Sequence, residues 1–298
     1  MTRIVFLETL RALFYAPYYL ALARGLFAAR GVDVQLIRSP DADETARRLI
    51  AGEADLAWGG PLRVLATLDA MPDAGMVCFA EVVARDPFFV VGRRTARPFA
   101  LDDLRAMRLA VVSEVPTPWI CLRQDLRDRG IDPARLDIVA GCSMEENAAA
   151  LARGEIDAFQ AFQPFVEQAV ADGAAVLYAA ATRGPTAYTT FYGQRARIAE
   201  KRPAFQAMAA AMAEAVDRVY RDPGTATAAE IAAYFPDLPL ALSGAAIDRY
   251  RSLGLYSRGG PISRAGFDRL RTSMINAGFI AHGAAFDDCT VDIGPAVA

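Results

Sequence analysis

Phe14-Tyr-Ala-Pro-Tyr-Tyr-Leu-Ala-Leu-Ala-Arg-Gly-Leu-Phe-Ala-Ala-Arg-Gly-Val-Asp-Val-Gln-Leu36 carries the clearest architectural pattern in this chain. Pro17 suits a first helical turn, and Tyr19, Leu22, Ala23 and Leu26 recur at i, i+3, i+4 and i+7, so an apolar helix face begins there. Gly25 is a natural left-handed stop, and after a second turn at Gly31 the alternation of Val32, Val34 and Leu36 reads as a strand. Upstream, Arg3-Ile-Val-Phe-Leu supplies a first strand ending at Glu8 and Thr9. The order is strand, loop, helix, strand. In an open α/β sheet a ligand sits beyond the carboxyl ends of the strands, so Glu8 to Tyr18 is the first candidate binding loop.

Working outward, the same unit continues and then restarts. Asp43 and Glu44 precede a short helix closed by Gly52, and Asp55-Leu-Ala-Trp58 is a buried strand running into Gly59-Gly60-Pro61. Met76 to Val83 and Pro87 to Val91 form two strands, and polar Arg93 to Pro98 marks a first crossing between lobes. Leu109 to Val112 is a strand, Thr117-Pro118 opens a helix ended by Gly130, and Asp137 to Ala140 is the next strand. Ser143 and Glu146 form a capping box for a helix stopped at Gly154, and Ile156 to Phe159 is a strand. Gly52-Glu-Ala-Asp and Gly154-Glu-Ile-Asp then fall at the same point of two similar units. Val176 to Ala181 adds a strand, and Tyr188 to Tyr192 suits the return crossing. Helices follow: one carries Phe205, Met208, Met212, Val216 and Val219 as its core stripe, shorter ones span Thr225–Tyr234 and Ser243–Ser252, and a last one is capped by Ser263.

The expectation is an α/β chain of two lobes with a cleft between them: residues 1–92 plus 193–298 as one lobe, 93–192 as the other. A length of 298 residues agrees with more than one core.

Composition limits the chemistry. Hydrophobic content of 54% with 22% charge describes a packed globular protein, and a net charge of -3 without a basic run gives no nucleic-acid footprint. There is one lysine, Lys201, and one histidine, His282, so Schiff-base or imidazole chemistry has a single candidate each. Cys78, Cys121, Cys142 and Cys289 lack the spacing of a metal site, and no metal or cofactor is expected. No apolar run reaches the length of a membrane span. The N-terminus reaches Glu8 and Arg11 too soon for a secretory segment. The expected location is periplasmic if a signal was removed, cytoplasmic if Met1 is the native start.

At Tyr15-Ala-Pro-Tyr-Tyr, Arg24-Gly-Leu-Phe, Gly31-Val-Asp-Val, Gly154-Glu-Ile-Asp-Ala, Gln163-Pro164 and Gly259-Gly-Pro-Ile-Ser, the chain resembles the solute-binding proteins of ABC importers for aliphatic sulfonates and thiamine-pyrimidine precursors. The resemblance covers nearly the whole length. It implies a type II periplasmic-binding fold, two α/β lobes joined by crossing strands, closure around a small molecule, and an ABC permease as partner. Pyrimidine synthases of the same superfamily use a histidine and a lysine in the N-terminal lobe with a cysteine-rich iron motif; the N-terminal stretch 1–92 of this chain has no histidine or lysine, and the chain has no cysteine cluster. A related desulfinase uses a cysteine in the first strand–helix loop, which is absent here.

The expected cleft residues are Glu8, Thr9, Tyr15, Trp58, Gly59 and Gly60 from the first lobe, Ser113, Thr117, Cys142, Ser143, Gln160 and Gln163 from the second, and Tyr188 and Tyr192 at the return crossing. Tyr15, Trp58, Tyr188 and Tyr192 suit stacking on a planar or aromatic solute. Helix N-termini near Ser113 and Ser143 favour a carboxylate or sulfonate, whereas Glu8 suits an amine or ring N–H. Cys142 at a helix N-terminus has no histidine partner and reads as a buried thiol, not a nucleophile. The function expected is binding of a pyrimidine precursor, sulfonate or aromatic acid. The competing readings are a lyase, decarboxylase or pyrimidine-precursor synthase on the same fold, in which Glu8 or Glu114 would move protons, and a cytoplasmic ligand sensor.

Overall fold

A computed structural model describes residues 1–95 and 97–294. Its ten strands are β1 (Thr2–Glu8), β2 (Val32–Arg38), β3 (Leu56–Gly59), β4 (Met76–Val83), β5 (Phe89–Gly92), β6 (Arg108–Ala110), β7 (Asp137–Val139), β8 (Ala158–Ala161), β9 (Ala175–Ala179) and β10 (Thr189–Gln194). They form two five-stranded sheets, ordered β2-β1-β3-β10-β4 and β7-β6-β8-β5-β9. In each sheet four strands run in one direction, and the single antiparallel strand, β10 or β5, comes from across the crossing. Each sheet therefore contains one strand from the other half of the chain. This is the two-lobed α/β fold of type II binding proteins.

The repeated Gly-Glu-x-Asp does the same job twice. The Asp55 carboxylate accepts from Val5 N–H at 2.7 Å while Asp55 N–H donates back to Val5 O, which pins the start of β3 to β1. Asp157 exchanges the same two bonds with Arg108, pinning β8 to β6. A short acceptor at the entry of a central parallel strand satisfies an N–H that the neighbouring ladder leaves open. The likeness of the halves thus has a structural cause.

The helices are α1 (Ala16–Ala23), α2 (Ala42–Ile50), α3 (Pro61–Ala70), α4 (Thr117–Asp128), α5 (Met144–Arg153), α6 (Phe165–Ala171), α7 (Arg195–Glu200), α8 (Arg202–Arg221), α9 (Gly224–Ile231), α10 (Leu240–Ser252), α11 (Arg264–Asn276) and α12 (Phe286–Cys289). Ser143 caps α5 and Ser263 caps α11, both as expected. Four helices lie outside the expected set: α3, α6, α7 and the short α12 in the tail. Proline or glycine punctuation hides the first two, since each starts at a proline-containing turn that also reads as loop.

The first crossing lies earlier than Arg93–Pro98. Because β5 pairs with β8 and β9, the chain changes lobe between Ala84 and Phe88, where Asp86 supplies the turn by accepting from Phe88 N–H at 3.0 Å. Ala96, inside the expected crossing, lies outside the described residues, as do residues 295–298. The return runs from Ala180 to Tyr188, and β10, which includes Tyr192, belongs to the first sheet. The two crossings bond to each other, Ala180 N–H to Phe88 O at 2.9 Å and Thr186 N–H to Ala84 O at 2.8 Å.

An apolar seam continues from one lobe to the other through these crossings. Phe14 meets Phe162 edge-on at 5.4 Å, Phe88 meets Phe162 at 5.2 Å, and Phe89 stacks on Tyr250 of α10 at 6.1 Å. Beside it, Arg183 donates to Asp86 and to Asp125 of α4, and Arg269 of α11 reaches Asp125 and Asp128 at 2.8 and 2.7 Å. The lobes are thus braced around one cleft.

Candidate ligand-binding cleft

The cleft encloses about 430 Å³ where loops at the strand ends of the two lobes face each other. The first lobe gives the loop after β1 (Thr9, Leu10, Phe14, Tyr15), the start of α2 (Pro40–Asp43), and the β3–α3 turn (Trp58–Gly60, Leu62, Arg63). The second lobe gives Glu114 to Thr117, the return crossing gives Tyr188, and the start of β10 gives Thr189.

Seven of the fourteen expected residues meet here: Thr9, Tyr15, Trp58, Gly59, Gly60, Thr117 and Tyr188. Tyr15 and Trp58 stack at 4.2 Å with their planes 18° apart, and Tyr18 packs edge-on to Trp58 at 4.0 Å. With Phe6 and Tyr19 also against its edges, the Trp58 ring is covered, so Trp58 backs Tyr15 instead of offering a free face. Burial raises the Tyr15 hydroxyl to about 12, so it is a neutral donor at ordinary pH.

The other seven are placed elsewhere. Glu8 is fully buried, bonded by the Tyr19 hydroxyl and by Arg11 at 2.8 Å; its charge is spent on fixing the loop. Gln163 folds back on α6, its amide donating to Glu167 at 2.9 Å, while its N–H donates to the Tyr250 hydroxyl. Gln160 is buried in β8, and Tyr192 lies behind Gly59, one layer beneath the wall.

Ser113, Cys142 and Ser143 sit outside the wall because the chain's own carboxylates take the α5 N-terminus. Glu114 Oε1 accepts from Met144 N–H at 2.8 Å, and Glu146 Oε2 accepts from Ser143 N–H at 2.7 Å, holding the Glu146 carboxyl below its usual range. Ser113 Oγ donates to the Cys142 carbonyl at 2.8 Å. That helix end is already neutralised, so it is no site for an incoming anion.

Two wall features escape the sequence reading. One is Arg63, half-buried and the third residue of α3; its signal is Gly59-Gly60-Pro61, which is a helix start as much as a turn. The other is the start of α3 itself, where Gly60 is the cap residue, no side chain caps it, and the Arg63 N–H donates to Gly60 O at 3.0 Å. Its counterpart across the cleft, α4, begins at Thr117 and is likewise uncapped. One buried polar atom of a wall residue, Trp58 Nε1, has no hydrogen-bond partner. Among the described residues there is no cluster of three metal-ligating side chains, and the wall contains no cysteine, histidine or lysine.

The profile of a family described as NMT1-like matches residues 7–234, most of the chain. The chain belongs to the NMT1-like family. This NMT1-like protein is 23% identical to YtlA of Bacillus subtilis over 282 residues, 93% of this chain and 84% of that one. Among solved structures, it is similar to the alkanesulfonate-binding protein SsuA of Xanthomonas axonopodis bound to MOPS, with a TM-score of 0.72, 18% identity and 98% of each chain covered. The periplasmic aliphatic sulphonate-binding protein SsuA of Escherichia coli matches with a TM-score of 0.75 at 16% identity, over 96% of this chain and 95% of that one. At such identities the shared property is the fold. Among the described residues no helix is long and apolar enough to cross a membrane.

Proposed function

We propose that this protein is a solute-binding protein: it closes its lobes on a small planar or aromatic solute and hands it, unchanged, to an ABC import system outside the inner membrane. The observation that carries this reading is the 430 Å³ cavity built jointly by strand-end loops of both lobes and the return crossing, with Phe14, Tyr15, Trp58 and Tyr188 on its wall. Such a cavity exists only while the lobes face one another, so occupancy and lobe angle are coupled. Its size suits a single-ring molecule of the pyrimidine-precursor, sulfonate or aromatic-acid class. The aliphatic sulphonates named for the SsuA relatives point the same way. A wall without cysteine, histidine or lysine fits capture better than turnover.

A thermal-shift screen of pyrimidines, sulfonates and aromatic acids tests this. A hit should raise the melting temperature and be recovered chemically intact from the protein. A hit that is consumed would replace the carrier with an enzyme.

A further inference from the structure

Arg63 is the only basic side chain on the cavity wall, and among the described residues its guanidinium has no carboxylate partner and no hydrogen bond. Elsewhere in the same lobe Arg11, Arg24, Arg30 and Arg47 are each paired with a carboxylate. A partly buried cation left without a counter-ion loses hydration and gains no compensating contact, so its place is explained if something else supplies the charge.

The surroundings are built to hold it. A Cβ added at Gly59 would lie 3.2 Å from Arg63 Cγ and 3.0 Å from Tyr192 Cε1; the bare glycine is what lets the arginine stem lie against the strand end. Burial raises the Tyr15 and Tyr192 hydroxyls, and the Arg63 charge acts against both rises. α3 begins two residues before Arg63 at Pro61, which has no N–H, and the Arg63 N–H is used on Gly60 O at 3.0 Å, so the charge on this wall is that of the guanidinium itself.

The rest of the wall limits the charge it accepts. Asp41, Asp43 and Glu114 line the same cavity, giving three carboxylates against one guanidinium. A second negative group on the solute meets repulsion.

We propose that Arg63 seats the anionic head of the solute, and that the solute is a monoanion carrying one carboxylate or one sulfonate on a compact ring. This rests on the cleft being the solute site. Calorimetric titration of benzoate, benzenesulfonate, the dianion phthalate and neutral benzamide into wild type, Arg63→Gln, Arg63→Lys and Trp58→Ala separates the two claims. Wild type should prefer a monoanion over both phthalate and benzamide, and the better of benzoate and benzenesulfonate identifies the head group. Arg63→Gln should cut the preference for the anion over the amide roughly 10- to 100-fold, with Arg63→Lys intermediate. Trp58→Ala should weaken anion and amide alike. If Arg63→Gln keeps the full anion preference while Trp58→Ala loses binding, the anchor is wrong and the cleft stands. Wild type that binds benzamide and no anion likewise removes the anchor and leaves the cleft. If neither substitution changes binding, both claims fail.

Discussion

Gly60 lies directly beneath the main chain of Tyr188: a Cβ built on it would sit 2.4 Å from the Tyr188 carbonyl oxygen. The turn that opens α3 is therefore in backbone contact with the return crossing, and no flexible side chain stands between them to give way. Gly60→Ala should lower stability by about 1–3 kcal/mol and displace Tyr188 from the wall. Urea unfolding reads the first effect and solute affinity the second. Full wild-type stability and affinity would contradict this contact.

Buried charge beside the crossings should be unequal in its importance. Arg183 is the partner of Asp86 and, with Arg269 and the Tyr178 hydroxyl, of Asp125. Arg269→Ala leaves Asp125 bonded to Arg183 and Tyr178, whereas Arg183→Ala leaves fully buried Asp86 without a cation. The Arg183 change should cost about 3–5 kcal/mol and the Arg269 change clearly less. Equal or reversed losses in chemical denaturation would refute the network as described.

Glu81 gives a pH dependence of definite sign. It is 5% exposed, its Oε1 has no partner, and burial raises its carboxyl to about 7 against a lowering bond from Ser263 N–H. The unfolded chain releases this proton near pH 4.5 and the folded chain holds it to about 7. The stability this group contributes is complete below about pH 4.5, falls as pH rises to 7, and is level above, a loss of roughly 3 kcal/mol. Glu81→Gln should remove that component, seen as a flatter course of the urea midpoint from pH 4.5 to 8 than in wild type. An unchanged slope would exclude Glu81 as its source.

Ser143 tests the reassignment of the α5 N-terminus. Its Oγ accepts from Glu146 N–H at 3.2 Å in a complete capping box. Ser143→Ala should cost about 1 kcal/mol of stability and leave solute affinity at the wild-type value. Lost affinity with retained fold would return Ser143 to the site.

Much of the fold was legible because each strand is a short apolar run bounded by glycine, proline or a charge, and because the doubled Gly-Glu-x-Asp marks equivalent strand entries. The exchange of β5 was not, since the pairing of a central strand depends on which partner lies beside it in space, and polar Arg93–Pro98 looked a better boundary than buried Ala84–Phe88. The cleft was legible where it follows the strand ends of the first lobe, as at Thr9, Tyr15 and Trp58. It was misread at Glu8, Ser143 and Gln163 because the partners that satisfy these groups, Tyr19, Glu146 and Glu167, lie one to three helical turns along the chain and compete locally for them. Arg63 was overlooked because nothing in its neighbours distinguishes an unpaired arginine from the many paired ones.

The most direct measurement is a crystal structure of the protein with the tightest-binding solute from the thermal-shift screen. Intact solute is expected in the cavity between the lobes, its ring against Tyr15 and its anionic group at Arg63. Solute lodged on an outer face of either lobe, or a chemically altered product in the cleft, would contradict capture and release by lobe closure.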